Sequence, residues 1–419
     1  MSDRTSLRIQ LWSYNYDPEP TGIGPISKVW AEGLRDLGHE VQVVAAHPHY
    51  PSPQWGSRVR PYRERRSGIP VLRLPLWIGR ESAAARYRQE LSFMLAQSAA
   101  APFLPEADVL VSVSPSFPAL LPAVVNQRAR RTPWVLWLHD ILPDGAAASG
   151  IVDESSPVIR ASRLLERWAY READRIVVLS EAFTANLTAK GVPEEKIQLI
   201  YDPASRVPRP DPAAKRSDPP RLLSMGNIGH SQGLTALVRA FEQDTALTSK
   251  DVKLIITGNG VAADEARAEI RSDKTEMIGL VDDERLEAEL QQATLAFVSQ
   301  RHEGAEFNIP SKIMNFMAYG LPIVAAVNPA SEVARIVERS GSGWVVDSGE
   351  PDRFPATLAE ILADPDDIRR RAAASRAYAD EHFTQDGFAR RFDEALREVA
   401  AAAPTGQRAR PAAPTRSAA

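Results

Sequence analysis

Short apolar runs alternate with amphipathic stretches along most of this chain. Residues 7–12 (LRIQLW) read as a buried strand, and a loop, Thr21-Gly22-Ile23-Gly24, leads into a helical pattern over 25–37. Further strands are predicted at HEVQVVAA, ADVLVSV, PWVLWL and RIVVLS, with helical patterns at 83–101, 118–130 and 157–171 between them. Continuously apolar strands separated by helices predict a parallel sheet covered on both faces.

The rhythm breaks over residues 202–220, DPASRVPRPDPAAKRSDPP, which hold six prolines and no apolar period. That composition marks a linker. The alternation then restarts with RLLSMGN, a helix over 234–241, VKLIITGNG, a helix near 263–270, TLAFVSQ, PIVAAV and GWVVD. The prediction is an α/β protein of two doubly wound, Rossmann-like domains facing a cleft. Residues 1–205 form the first, 206–220 the proline-rich linker and 221–384 the second. A terminal helix over 385–402 is able to pack back on the N-terminal domain, and 403–419 is a disordered Pro/Ala/Arg tail. At 419 residues, two cores are expected, because one core stops growing near ~250–300 residues. In such sheets ligands sit beyond the carboxyl ends of the strands.

Composition narrows the classes. The chain is 44% apolar and 25% charged with net charge -4, which offers no footprint for nucleic acid. It has no cysteine, so disulfide and thiolate chemistry are excluded. No long apolar run follows the basic residues of MSDRTSLRIQLW, which predicts no secretory leader, and no run reaches the ~18 residues of a membrane span. His47 and His49 lie two apart in a proline-rich loop, a poor metal geometry, so no metal and no cofactor is predicted.

The most telling segment runs from His302 to Ala326, HEGAEFNIPSKIMNFMAYGLPIVAA. It reads as an acid-bearing loop, a helix opening at Ser311-Lys312, a turn and a buried strand. Free N–H groups and a positive dipole at a helix start suit an anion, and Lys312 adds a full charge. A phosphate or diphosphate is the natural occupant; a capped helix with a solvated lysine is the plain alternative. Glu303 and Glu306 precede it and could accept hydrogen bonds from sugar or ribose hydroxyls. Asn315 lies one turn beyond Ser311 on the same face. Gly226-Asn227-Ile228-Gly229-His230-Ser231-Gln232-Gly233 follows a strand and opens a helix, so its N–H groups can approach a phosphate. Thr257-Gly258-Asn259-Gly260 follows the next strand and reads more simply as a turn. His139-Asp140 ends a strand of the first domain, where substrate would be met.

The stretch from Arg58 to Arg88 holds nine arginines against Glu64 and Glu81, with Trp55, Trp77, Ile78 and Tyr87 interleaved. Arg63, Arg65, Arg66 and Trp77 suit an anionic membrane surface or an anionic diphosphate-linked acceptor, at about 1 kcal/mol per basic residue near a lipid surface.

Taken together, these pieces resemble the family 4 retaining glycosyltransferases of the GT-B fold, in the branch that builds colanic-acid and capsule-type bacterial polysaccharides. The carrying residues are Pro20-Thr21-Gly22-Ile23-Gly24, Leu138-His139-Asp140, Leu165-Glu166-Arg167-Trp168 and Ala173-Asp174-Arg175. In the second half they are Gly226-Asn227-Ile228-Gly229 with Gln232-Gly233, Pro310-Ser311-Lys312 and Gly320-Leu321-Pro322-Ile323-Val324. The resemblance implies that Gly22 and Gly24 line a loop facing donor diphosphate and acceptor, and that His139 touches the transferred sugar. It further implies Gly226, Asn227 and Gly229 at the diphosphate, Leu280 at the base, Ser311 and Lys312 on the phosphates, Glu303 or Glu306 at the sugar and Asn315 on the ribose side. The chain departs from the pattern at Ser231, where the branch carries a lysine, and at Asn227 and Gln232, where the wider family has Arg and Lys.

What the resemblance implies is transfer of a hexose or N-acetylhexosamine, with retention, from a nucleoside-diphosphate sugar of the UDP kind. The acceptor would be lipid-linked or a saccharide, in surface-polysaccharide synthesis. The location would be cytoplasmic, peripheral on the inner membrane face. A sugar-nucleotide 2-epimerase of the same fold and a non-catalytic nucleotide-sugar-binding partner are the alternatives.

Overall fold

A computed structural model describes residues 6–20, 22–50, 59–79, 82–114, 116, 118–141, 157–208, 217–244, 247, 251–302 and 309–403. These fall into two compact units. The first comprises the chain up to Leu179, Thr184–Ile200 and everything from Phe388 on; the second is Ser180–Phe183 with Tyr201–Gly387. The predicted tail from 404 on, and residues 209–216 of the predicted linker, lie outside the described residues.

The first unit is built on eight strands: β1 (Arg8–Ser13), β2 (Glu40–Ala46), β3 (Tyr62–Arg66), β4 (Ile69–Leu74), β5 (Val109–Val113), β6 (Trp134–Leu138), β7 (Arg175–Val178) and β8 (Ile197–Leu199). Their order is β3-β4-β2-β1-β5-β6-β7-β8. All neighbours are parallel except β3 and β4, which pair antiparallel, Tyr62 opposite Arg73 and Arg66 opposite Ile69. Residues 62–74 of the basic stretch thus form an edge hairpin. Its charges alternate as an edge strand requires, Arg63 and Arg65 exposed and Tyr62, Glu64 and Arg66 half-buried. Strands β5 and β6 are buried along their whole length, which is why they read as unbroken apolar runs.

The core of this unit gathers Trp30 and Trp137, 6.2 Å apart and stacked, with Phe392 edge-on to both. Phe392 comes from the terminal helix Gln385–Ala402, as do the fully buried Phe388 and Leu396. That helix lies against helix Ile23–Asp36 at Gly33, where an added Cβ would stand 2.6 Å from the Ala389 Cβ. His39 and Asp393, both buried, meet at 2.8 Å. Leu7 N–H donates to Nδ1 of the same ring, so the ring proton sits on Nε2 and is given to Asp393.

The second unit carries six strands, all parallel: β9 (Arg221–Met225), β10 (Lys253–Thr257), β11 (Thr275–Gly279), β12 (Leu295–Ser299), β13 (Ile323–Val327) and β14 (Gly343–Asp347), in the order β11-β10-β9-β12-β13-β14. Among the described residues no helix is long and apolar enough to cross a membrane.

Candidate active site

In the second unit three loops leave the carboxyl ends of β9, β10 and β11 and lock to one another through the backbone. Gly226 N–H donates to the Thr257 carbonyl at 3.0 Å, Gly258 N–H to Gly279 at 2.8 Å, and Ile228 N–H to Asn259 at 3.0 Å. Only glycine permits this approach. A Cβ on Gly258, whose φ is +131°, would lie 1.8 Å from the Gly226 carbonyl oxygen, and one on Gly260 would lie 2.3 Å from that of Ile228. The glycines of the Thr257–Gly260 turn are therefore accounted for by loop packing, while the Gly226–Gly233 loop is the one set at the rim. Within that loop Gly229 sits 3.1 Å, from where its Cβ would be, to the Asn227 amide nitrogen. Gln232 ends a single 3-10 turn, and Gly233, at φ +61°, starts helix Leu234–Gln243.

Two cations border this loop. Arg301, just past β12, donates its N–H to the Ser231 carbonyl at 2.9 Å and packs its side chain against Gly233. Lys312 opens helix Lys312–Ala318 and places Nζ 3.4 Å from Oε1 of Gln232. Burial alone pushes its ammonium down to about 8, with no carboxylate contributing among the described residues. The helix has seven residues, so its dipole is short and the lysine carries most of the positive field; Ser311 makes no side-chain capping bond. Beside them a cavity of about 230 Å3 is lined by Gly233, Arg301, His302 and Ser348 among others. His302 Nδ1 meets Asp347 at 2.8 Å, and the Gly349 N–H together with His302 holds that carboxyl below its usual range.

Asn315 is buried, and its amide is already engaged. Its Oδ1 accepts Arg206 N–H at 2.9 Å and Ser205 Oγ–H at 3.2 Å, and its Nδ2 donates to the Ser311 carbonyl. It ties down the chain that enters the unit. Leu280 follows β11 and is 79% exposed, so it offers backbone groups at the rim, with its side chain in solvent. Glu303 and Glu306 lie outside the described residues.

In the first unit Gly22 ends the loop that joins β1 to helix Ile23–Asp36, and Gly24 stands in the first turn of that helix. Gly22 adopts φ +65° as the residue before the helix, which has no side-chain cap and no acid in its first turn. Gly24 must be glycine, because a Cβ would lie 2.7 Å from the Glu19 carbonyl oxygen. His139 follows β6, half-buried, its ring 4.7 Å from that of Trp137. Burial pushes its pKa to about 3, so the imidazole is neutral at ordinary pH, and burial raises that of the neighbouring Asp140. Ser114 Oγ–H donates to the Asp140 carbonyl at 3.2 Å and ties the ends of β5 and β6.

The basic stretch divides. Arg66 is half-buried and pairs with Asp17 at 3.1 Å, and Arg73, 0% exposed, binds Glu64 at 2.8 Å and the carbonyls of Ala46 and Asp17. These two brace the loop. Arg66 therefore leaves the predicted surface contact, while Arg63 and Arg65 stay exposed, as does Trp77 at 78%. Trp77 N–H donates to Ser92 Oγ on helix Ala83–Ala100, whose Tyr87 and Leu95 are exposed at eight-residue spacing. Phe103 follows that helix, 85% exposed. Glu19, 2% exposed, was missed; the one signal in the sequence is an acid set between two prolines just ahead of the glycine loop. A larger cavity of about 450 Å3 lies at the opposite, amino ends of β6 and β7, lined by Arg128, Arg131, Asp174, Arg175 and Glu398. Among the described residues no cluster of His, Cys, Asp or Glu could hold a metal.

The fold is that of a two-domain α/β protein, with largely parallel sheets in both units and, in the second, interlocked glycine loops beside a lysine. Residues 21–203 match the Glycosyl transferase 4-like domain and 209–380 match Glycosyl transferases group 1. The chain belongs to the family 4 glycosyltransferases of the GT-B fold. It is 24% identical over 423 residues to WcaI of Escherichia coli K12, named as a colanic acid biosynthesis glycosyl transferase, covering 93% of this chain and all of that one. Among solved structures it is similar to sucrose-phosphate synthase from Thermosynechococcus elongatus (TM-score 0.70, 17% identity, 94% of this chain and 99% of that one). It is also similar to Anabaena HepE in complex with UDP (TM-score 0.68, 16% identity, 93% and 100%).

Proposed function

We propose that this glycosyltransferase moves a hexose or N-acetylhexosamine from a UDP-linked sugar to a lipid-linked or saccharide acceptor in bacterial surface-polysaccharide synthesis, with retention of configuration. The observation that carries the donor assignment is Lys312. Among the described residues the half-buried Lys312 ammonium has only the Gln232 amide as a polar partner and no carboxylate beside it, and a diphosphate would offset the cost of its burial. Backbone N–H groups of Asn227, Gly229 and Ser231 would share the load, with Gln232 and Ser311 as polar partners and Arg301 as second cation, while the Gly226 N–H, expected at the diphosphate, is given to the Thr257 carbonyl and only sets the loop's position. Fixed donors aimed at the leaving diphosphate stabilise the charge that develops on it as the glycosidic bond breaks. Leu280 would meet the base through its backbone.

In the first unit, Gly22, Gly24 and the neutral His139 would face the sugar and acceptor. A neutral imidazole donates or accepts a hydrogen bond without adding charge beside an oxocarbenium-like centre. The names and titles of similar proteins support the reading: HepE has been solved with UDP-glucose, and relatives are named for colanic acid and amylovoran biosynthesis. For the acceptor side, Arg63, Arg65 and Trp77, with Leu95 and Phe103, are the residues suited to an anionic membrane surface at the inner face of the cell membrane.

Incubation with radiolabelled UDP-sugars and a membrane lipid extract tests this. Label in lipid-linked product supports transfer. Isomerised nucleotide sugar identifies the 2-epimerase instead, and tight binding without turnover identifies a non-catalytic partner.

A further inference from the structure

The Glu19 carboxylate is almost wholly buried, and buried carboxylates persist only where donors surround them. Oε1 accepts the backbone N–H of His49 at 2.9 Å and of Tyr50 at 2.8 Å. Oε2 accepts the Asn15 side-chain amide at 3.0 Å and Tyr16 N–H at 3.3 Å. His49 Nδ1 stands 3.3 Å from Oε1, and its Nε2 stands 3.4 Å from the Asn15 amide. Donors thus arrive from two segments, the loop after β1 and the loop after β2. The Glu19 carbonyl meanwhile lies where it forbids any side chain on Gly24. On the outer side, Arg73 holds the Asp17 carbonyl, and Arg66 and Lys28 hold the Asp17 carboxylate at 3.1 and 3.6 Å. One carboxylate therefore sets the height of the glycine loop above the sheet.

We infer that Glu19 is a positioning residue of this transferase: its four hydrogen bonds tie the loop after β1 to the His49–Tyr50 backbone, and its carbonyl against Gly24 seats the start of helix Ile23–Asp36, in the geometry that receives the acceptor. It touches no reacting atom. The inference rests on the reading of the first unit as the acceptor side.

The sharpest perturbation is Glu19→Gln, which keeps the shape but turns an N–H2 group against one pair of N–H donors. Two measurements on the full chain decide the matter. In hydrogen exchange, the amides of Tyr16, His49 and Tyr50 should exchange faster by about 10–100-fold while β1, β2 and β5 keep their protection. Unchanged exchange at those three amides, or an equal rise throughout the sheet, overturns the inference. In transfer from UDP-glucose to lipid extract, the KM for extract should rise about ten-fold or more while UDP affinity by calorimetry is unaltered. A fall in kcat alone, with KM for extract constant, reports only lost folded protein and overturns it too. Glu19→Asp, which keeps the carboxylate, should fall between. If the wild-type chain binds UDP yet transfers no sugar, the proposed function fails, and the exchange pattern still decides the role of Glu19.

Discussion

Replacing Lys312 by methionine should make the empty protein more stable and the nucleotide-bound protein less so. The drop of its pKa from the ordinary 10.5 to about 8 corresponds to roughly 3 kcal/mol held against the charged form at neutral pH. Solvent access at the rim trims this to about 2 kcal/mol. Methionine fills similar space without a charge, so Tm should rise by about 5 °C, using ~2–4 °C per kcal/mol for a unit of this size. The charge-assisted bond to a diphosphate, worth about 1.5–3 kcal/mol, is lost, so UDP should bind ~10–100-fold more weakly. The pH dependence follows from the sign of the shift. The folded pKa lies below the unfolded one, so the penalty is fully present below about 8 and disappears as pH rises toward 10.5. The stability gap between Lys312→Met and wild type should therefore be constant below pH 8 and close above it. UDP affinity of the wild type should fall above pH 8, while that of the variant stays flat. Calorimetric unfolding and UDP titration from pH 6 to 10 measure both. A variant that is no more stable and binds UDP as well as the wild type refutes the reasoning.

Gly258→Ala should lower Tm by several degrees and abolish UDP binding together, because its Cβ overlaps the Gly226 carbonyl and displaces the whole rim; retained affinity would refute the loop-packing account. His139→Ala should cut transfer about 100-fold with UDP affinity unchanged, and wild-type rates should show no inflection near pH 6.5 from this group. Its lowered pKa makes the folded state lose stability as pH falls from 6.5 toward 3, a loss the alanine variant should lack in acid unfolding. Asn315→Ala should cost about 1–3 kcal/mol in denaturant unfolding by stranding Arg206 N–H and Ser205 Oγ, and should weaken UDP binding little. Trp77→Ser with Phe103→Ser should reduce sedimentation with anionic vesicles and leave UDP affinity intact.

Much of this fold is legible in the chain because its strands are buried on both faces. Val109–Val113 and Trp134–Leu138 announce themselves as unbroken apolar runs, and the terminal helix carries Phe388, Phe392 and Leu396 at helical spacing. The edge hairpin was hidden because Tyr62–Arg66 is almost all charge, and because Arg73 is buried by virtue of its partners, which lie far off in sequence. Glu19 was hidden for the same reason: its burial depends on amides of Tyr16, His49 and Tyr50 that no periodicity reveals. At the second unit the glycine loop and Lys312 were legible as types of residue. Their interlocking was not, since it depends on carbonyl positions that only the folded backbone defines.

The terminal helix has a consequence for synthesis. Phe388, Phe392 and Leu396 complete the tryptophan cluster of the first unit, yet they are translated after every residue of the second. The N-terminal half must wait on the ribosome as an unfinished body, its Trp30 and Trp137 uncovered, until the codons of that helix are read. A gene cut at the proline-rich segment should accordingly yield an insoluble front fragment, rescued when a peptide spanning residues 385–402 is co-expressed.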